Sequence, residues 1–320
     1  MSISRRTMLA GTAAAGAALT TGLPVQAKAP MSNQQAPGFH RFKIGSFEVT
    51  AIHDGTAQRD MPKGFVRNAT DAEVSAAFTE LGLPGDKLTI TFTTMVVNTG
   101  DRVILLDTGN AAGATVGNTA KNLAAAGIQP GDVDVVAISH FHGDHIGGVR
   151  GADNALVYPN AEIVVSEDEW AHWMDDAKMN AAPEAGRGGF QLARRQFGPV
   201  ADKVRKVQWE KEIVPGITAV KAAGHTPGHT AFLIASGNQQ MMFVGDITNH
   251  PGIFVRRPEW QAIFDMDPQM AIATRKALLD RAAADKIRLS FYHAPFPATG
   301  FVVKDGAGYD FLPALWTSTL

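Results

Sequence analysis

One stretch of this chain gathers side chains that could do chemistry together: Ser139-His140-Phe141-His142-Gly143-Asp144-His145-Ile146-Gly147-Gly148. With 10 His and 31 Asp plus Glu in 320 residues, composition alone would produce such an HxHxDH pattern in about one chain in a thousand. His140 and His142 leave an extended segment on one side, because the strand period is two, and so can grip one ion together. Asp144 and His145 fall where the chain turns into a helix, point elsewhere and can serve a second ion. Gly143, Gly147 and Gly148 allow the backbone to approach closely. Cysteine is absent, which removes disulfides, thiolate nucleophiles, iron–sulfur clusters and thiolate-bound zinc. Any metal must be held by His, Asp and Glu.

These residues need strands that deliver them and helices that cover the strands. Val133 to Ser139, just before the motif, is a continuous apolar run of the kind buried on both faces. Phe42 to Asp54 alternates apolar and polar residues about a Gly45-Ser46 turn and reads as a hairpin. Leu88 to Asn98 and Arg102 to Leu106 read as a second strand pair. Further strands are expected at Glu162 to Val165, Ile217 to Lys221, Ala231 to Ala235, Met241 to Val244, Arg288 to Tyr292 and Gly300 to Lys304. Thr70-Asp71-Ala72-Glu73 is a capping box that opens a helix to about Leu81. Asn118 to Ala126, closed by Gly127, and Glu167 to Asp176 read as helices, as does Pro268 to Ala284 with Asp267 as its N-cap. Ala177 to Gln208, with Pro183, Gly186, Gly188 and Gly189, reads as a mobile connection before a helical stretch. Two strand-rich halves, each ending in helices, imply an α+β chain in which two sheets are sandwiched between helices. No repeat of fixed period and no second domain boundary is visible.

Hydrophobic residues make up 45% of the chain, enough for one large core, and a net charge of −2 lacks the basic excess of a nucleic-acid binder. Nucleic acid is therefore not an expected partner. Met1 to Ala29 reads as an export leader. Ser4-Arg5-Arg6-Thr7-Met8-Leu9 is similar to a twin-arginine signal, and Val25-Gln26-Ala27 offers a small-residue cleavage site. Its apolar stretch from Met8 to Leu23 is too weak for a membrane anchor. Recognition by the twin-arginine export machinery, a periplasmic or secreted location and a linker over residues 30–41 are the expectations, leaving residues 42–320 as the folded domain.

The His140 to His145 motif resembles the metal motif of the metallo-β-lactamase superfamily, and the remaining motifs of that superfamily follow in order. Gly224-His225-Thr226-Pro227-Gly228-His229-Thr230 resembles its HTPGH segment, Val244-Gly245-Asp246 the strand end bearing a bridging aspartate, and His293 its final histidine. The resemblance implies a four-layer αβ/βα sandwich. It also implies a first ion bound by His140, His142 and His229, a second by Asp144, His145 and His293, and Asp246 between them. Asp107, in Asp107-Thr108-Gly109, would support a ligand histidine from behind. His225 is left without a metal role, and His40, His53, His172 and His250 have no spacing that brings them in. Such ligands suit two divalent ions, zinc by default and manganese, iron or cobalt by chemistry. A hydroxide held between two ions is nucleophilic at neutral pH, so the implied reaction is hydrolysis, with Asp144 and Asp246 at its centre.

Within the superfamily, Phe42 to Thr50, Asn122 to Ile128, Ile213 to Ile217 and His293-Ala294-Pro295-Phe296-Pro297 are similar to the methyl parathion hydrolase-like branch. That likeness implies small ester-like substrates (a lactone, an aryl ester or an organophosphate triester) and, by the habit of the branch, a homodimer. Trp170, Trp173, Phe190, Phe197 and Phe296 are the pocket candidates by their place along the chain. Acyl-homoserine lactonases of the fold carry a tyrosine where this chain has Asn249, which disfavours a dedicated signalling-lactone lactonase, although Tyr292 could take over that place. The alternatives are a β-lactamase or a glyoxalase II-type thioesterase, and, outside enzymology, a noncatalytic periplasmic metal-binding module.

Overall fold

Apolar alternation in the N-terminal segment becomes a long antiparallel hairpin in the computed structural model, which describes residue 29 and residues 31–320. Strand β1 (Phe39–Ile44) pairs with β2 (Phe47–Asp60), which bulges between His53 and Gly55 where it meets β3 (Lys87–Asn98). Next come β4 (Val103–Leu106), β5 (Val135–Ala137), β6 (Glu162–Ser166) and β7 (Val204–Val207), so that the first sheet is ordered β1 to β7. Its first four strands are antiparallel, and β4 to β7 run parallel. The second sheet holds β8 (Lys211–Val214), β9 (Ile217–Lys221), β10 (Thr230–Ser236), β11 (Gln239–Phe243), β12 (Arg288–Ser290), β13 (Thr299–Asp305) and β14 (Gly308–Pro313), again in chain order.

The sheets bury one face against each other, with Val49, Met95, Leu106 and Ala137 meeting Ile217, Phe232, Ile234 and Phe243. On the outer side of the first sheet, α2 (Thr119–Ala125), α4 (Glu167–Trp173) and α6 (Glu184–Phe197) cover Leu105, Val136, Ile163 and Val165, whereas α1 (Asp71–Glu80) packs in a separate cluster with Phe65, Leu88 and Phe254. The short α3 (Gly143–Ile146), α5 (Asp176–Ala181) and α7 (Pro251–Phe254) lie along the connections, and α8 (Pro268–Asp285) packs Leu278 and Leu279 on the outer face of the second sheet. Helix, sheet, sheet and helix give the expected four layers of an α+β chain. Thr70 and Glu73 form the expected capping box, and Asp267 caps α8 by accepting from the Met270 amide at 2.9 Å.

The structure differs from expectation in four places. Residues 177–208 carry α5, α6 and β7 in place of a mobile connection. Gly189 is there because a Cβ would come within 2.7 Å of the Trp173 ring, a matter of close packing and not of flexibility. The run before the metal motif is a strand only over Val135–Ala137, and the C-terminal hairpin gains β14. The first strand starts at Phe39, inside the expected linker. The expected leader lies outside the described residues, apart from Ala29, and no helix among the described residues is long and apolar enough to cross a membrane.

Candidate metal centre and substrate pocket

Parallel strands β4 and β5 end side by side and release Asp107 and Ser139-His140 at one rim of the sandwich, the end at which open sheets commonly bind ligands. Asp107 takes a left-handed conformation, φ 61°, and its carboxylate accepts from the Ser139 amide and the Ser139 hydroxyl, both at 2.7 Å. The chain then enters α3, which sets Asp144 and His145 on a helical turn behind His140 and His142. From the second sheet, the loop before β10 brings His225, the end of β11 brings Asp246, and the end of β12 brings His293.

Two groups of donor atoms result. His140 Nε2 stands 3.0 Å from His142 Nδ1, which is 2.9 Å from His225 Nε2. Ligands on one tetrahedral zinc at 2.0–2.1 Å would lie about 3.3 Å apart, so the three nitrogens are nearly spaced for one ion. The second group is Asp144, His145, Asp246 and His293. Here His145 Nε2 lies 3.4 Å from Asp144 Oδ2 and 3.3 Å from Asp246 Oδ1, and His293 Nε2 lies 3.0 Å from Asp246 Oδ2. Asp246 Oδ2 is also 3.4 Å from His225 Nε2, which puts this carboxylate between the groups. His145 Nε2 and Asp246 Oδ1 are buried without any hydrogen-bond partner. A cation is the partner that two such atoms lack, so the residues present fit two ions.

One expectation is corrected by this geometry. His225, and not His229, joins His140 and His142. Both ring nitrogens of His229 are spent on backbone: Nδ1 donates to the Ala222 carbonyl at 2.9 Å, and Nε2 accepts from the Asp246 amide at 3.0 Å. His229 therefore braces the turn that carries Asp246 and has no lone pair left for a metal. His40, His53, His172 and His250 stand in neither group.

Charge separates the two groups. Burial holds His140 well below the ordinary imidazole range and takes His142 down to about 3. Burial also opposes a charge on His145 and His293, yet the carboxylates, Asp246 foremost, outweigh it and push both upward. Against burial, His145 and His293 in turn bring Asp144 down to about 2. Without an ion, protons on His145 and His293 supply the positive charge that the two carboxylates demand.

Three of the donors, His145, His225 and His293, are oriented from outside. Asp107 Oδ2 lies 2.7 Å from His145 Nδ1, the supporting contact expected of it. Asp265 accepts from His225 Nδ1 at 3.0 Å and is itself held by the fully buried Arg275, while His293 Nδ1 donates to the Thr91 carbonyl at 3.0 Å. Glu169, also buried, accepts from the Phe141 and Gly228 amides, the Thr226 hydroxyl and the Trp173 indole, and so ties the two histidine loops together. Neither Asp265 nor Glu169 has a local sequence pattern that marks it.

Above the donors lies a cavity of about 510 Å³. Ala57, Leu88, Ile90, Phe92 and Phe264 form its apolar wall, Arg59 and Asn249 its polar points, and Asp144, Asp246, His142, His225 and His293 its floor. The aromatic residues expected here lie elsewhere. Trp173, Phe190 and Phe197 are buried in the core outside the first sheet, with Trp170 packed against it, because apolar residues at helical spacing face the sheet they cover. Phe296 lines a different cavity, beside Pro295 and His250. Tyr292 is fully buried, stacks on His145 at 3.9 Å and donates its hydroxyl to the Asp144 carbonyl, so it cannot serve substrate in place of Asn249.

The chain is also similar to known proteins. A family model of the metallo-beta-lactamase superfamily matches residues 88–293. The chain superposes on AidC, a dizinc quorum-quenching lactonase solved with a product, with TM-score 0.83 and 28% identity over 88% of this chain and 99% of that one. It superposes on AbOPH, a hydrolase in the beta lactamase superfamily, with TM-score 0.83 and 25% identity over 89% and 100%. A probable metallo-hydrolase of Mycobacterium tuberculosis is 24% identical over 213 residues, 59% of this chain and 67% of that protein. An N-acyl homoserine lactonase of a Bacillus species is 29% identical over 112 residues, 35% and 37% of the two chains.

Proposed function

The chain belongs to the metallo-β-lactamase superfamily and is a metal-dependent hydrolase of that kind, and from this we propose that it opens small ester-like substrates, lactones first among them, at two divalent ions. His140, His142 and His225 would hold one ion, Asp144, His145 and His293 the other, with Asp246 shared. The observation that carries the reading is the pair of donor groups, joined by one carboxylate, at the floor of a largely apolar cavity. Two ions held there would polarise the substrate carbonyl and make water nucleophilic at neutral pH. The chain's own residues do the rest. Leu88, Ile90, Phe92 and Phe264 take the apolar part of the substrate out of water. The Asn249 carboxamide, with no partner for its Oδ1, offers a polar contact beside the floor. Asp144, 24% exposed where Asp246 is 3% exposed, is the carboxylate placed to pass a proton to the departing oxygen.

Lactones come first because similar proteins are named lactonases. The methyl parathion hydrolase-like branch, and with it aryl esters and phosphotriesters, remains part of this reading, as do zinc as the metal and twin-arginine export to the periplasm. Metal content measured alongside hydrolysis of a γ-lactone, an aryl ester, a phosphotriester and a β-lactam, before and after chelation, tests it. Two equivalents of metal with chelator-sensitive lactone turnover are expected. Turnover of the β-lactam alone would overturn the substrate class, and turnover that survives full chelation would overturn the centre.

A further inference from the structure

A second cavity, of about 530 Å³, lies beside the loop that follows β4, and Asn110 is the one residue that lines both it and the catalytic pocket. Its lining includes Arg150 and Arg195 and no Asp or Glu. Arg150 is fixed in place: Nε donates to the Gln196 carbonyl at 2.9 Å and Nη1 to the Asn154 carbonyl at 2.7 Å. Its Nη2 is buried and has no partner, and the Oε1 of Gln196, a residue only 4% exposed, has none either. Arg195 is exposed and, among the described residues, makes no ion pair, whereas its neighbour Arg194 pairs with Asp176. A guanidinium is always charged and only donates, so one that is held in place with an unused nitrogen, in a cavity lined by no carboxylate, suits an anion. The rest of the wall mixes apolar residues, among them Ala111, Ala112, Ala120 and Val157, with the polar Thr108, Asn110, Thr119 and Asn154.

We propose that this cavity is a binding site for a small carboxylate with a short apolar body, its carboxylate on Arg150 and Arg195 and its body on the alanine-lined wall. The geometry suits such a molecule better than inorganic phosphate, which would leave the apolar wall unfilled, and better than a neutral amphiphile, which would leave both arginines unpaired. The site is separate from the catalytic reading and does not depend on it. Its wall includes Thr108, whose amide and hydroxyl hold the His145 carbonyl at 2.8 and 2.9 Å, so an occupant would sit against the brace of the metal-site loop.

The test is calorimetric titration of the full, metal-loaded protein with hexanoate and with its neutral isostere hexanamide, repeated on Arg195→Glu and Arg150→Gln. Because Arg195 is exposed and unpaired, its replacement leaves the fold alone, which covers the case in which Arg150→Gln does not fold. Hexanoate is expected to bind the parent, and Arg195→Glu to weaken it at least about tenfold with metal content unchanged. Hexanamide is expected to bind at least about tenfold more weakly than hexanoate. The proposal is overturned if Arg195→Glu binds hexanoate as the parent does, if the isostere binds equally well, or if binding is lost on chelation and untouched by either substitution, which would place the carboxylate at the metals.

Discussion

The histidine group and the carboxylate group sit within one site, yet their charge is arranged in opposite ways. His140, His142 and His225 bring only nitrogen donors, with His140 and His142 held unprotonated by burial. Asp144 and Asp246 bring two negative charges, which His145 and His293 answer. An ion among the imidazoles would keep most of its charge facing the pocket, and Asp246 alone would offset it. An ion among the carboxylates would be largely compensated. On the proposed reading, the histidine group would polarise a substrate and the carboxylate group would hold and pass protons. Both groups draw donors from both sheets, so neither exists until the sheets dock, and ion binding must stabilise the sandwich.

The largest expected effect comes from taking one donor out of the histidine group. His225→Ala leaves His140 and His142 with no third nitrogen, and should weaken that ion by more than the 10–100-fold that an outer contact is worth. His229→Ala should keep both ions and lower the melting temperature, because it removes the brace under Asp246. Metal analysis and thermal melts on the two variants decide this; the reverse pattern would exchange their roles. Next in size are the outer carboxylates. Asp265→Asn should weaken the ion of the histidine group, and Asp107→Asn the ion of the carboxylate group, each by about 10–100-fold. Titration against a competing chelator separates them. If both substitutions weaken the same ion, the two groups act as one coupled centre and the contrast fails.

The parts of this site legible in the sequence are those fixed by local backbone. His140, His142, Asp144 and His145 follow from a strand period running into a helical turn, whereas Asp107 is marked by its resemblance to a superfamily motif at a strand end. The choice between His225 and His229 is not local. It depends on the loop that turns at Gly224, φ 131°, where a Cβ would meet the Ala271 backbone at 2.3 Å, and on α8, which supplies that contact from some fifty residues away along the chain. Glu169 and Asp265 are buried carboxylates whose partners are equally distant, so no short pattern betrays them. The pocket wall did leave a trace. Leu88, Ile90 and Phe92 share one face of β3, and Ala57 and Arg59 pair with Ile90 and Leu88 across β2, whereas the aromatic residues of α4 and α6 were bound to face the sheet beneath them. The four layers were legible because alternation and caps are local. The order of the short helices over residues 177–208 was not, because Gly189, read as a sign of mobility, serves packing against the Trp173 ring.

The smallest effect on chemistry, and a larger one on stability, is expected at Glu169. Its Oε1 accepts from the Phe141 amide at 2.8 Å and the Trp173 indole at 2.7 Å, and its Oε2 from the Thr226 hydroxyl at 2.7 Å and the Gly228 amide at 2.9 Å. The first oxygen thus holds the loop of His140 and His142, and the second the loop of His225. Glu169→Gln sets an amide NH₂ against one of these donor pairs and should cost about 1–3 kcal/mol of stability through the buried groups left unpaired. The carboxylate group has no contact with Glu169, so its ion should bind as before, and the histidine-group ion should weaken by no more than about tenfold, the low end for an outer contact. A thermal melt beside a chelator titration checks both halves. If Glu169→Gln instead strips the histidine-group ion while the melting temperature holds, the carboxylate is part of the centre's electrostatics and not a clamp between the two sheets, and the contrast between the two groups fails.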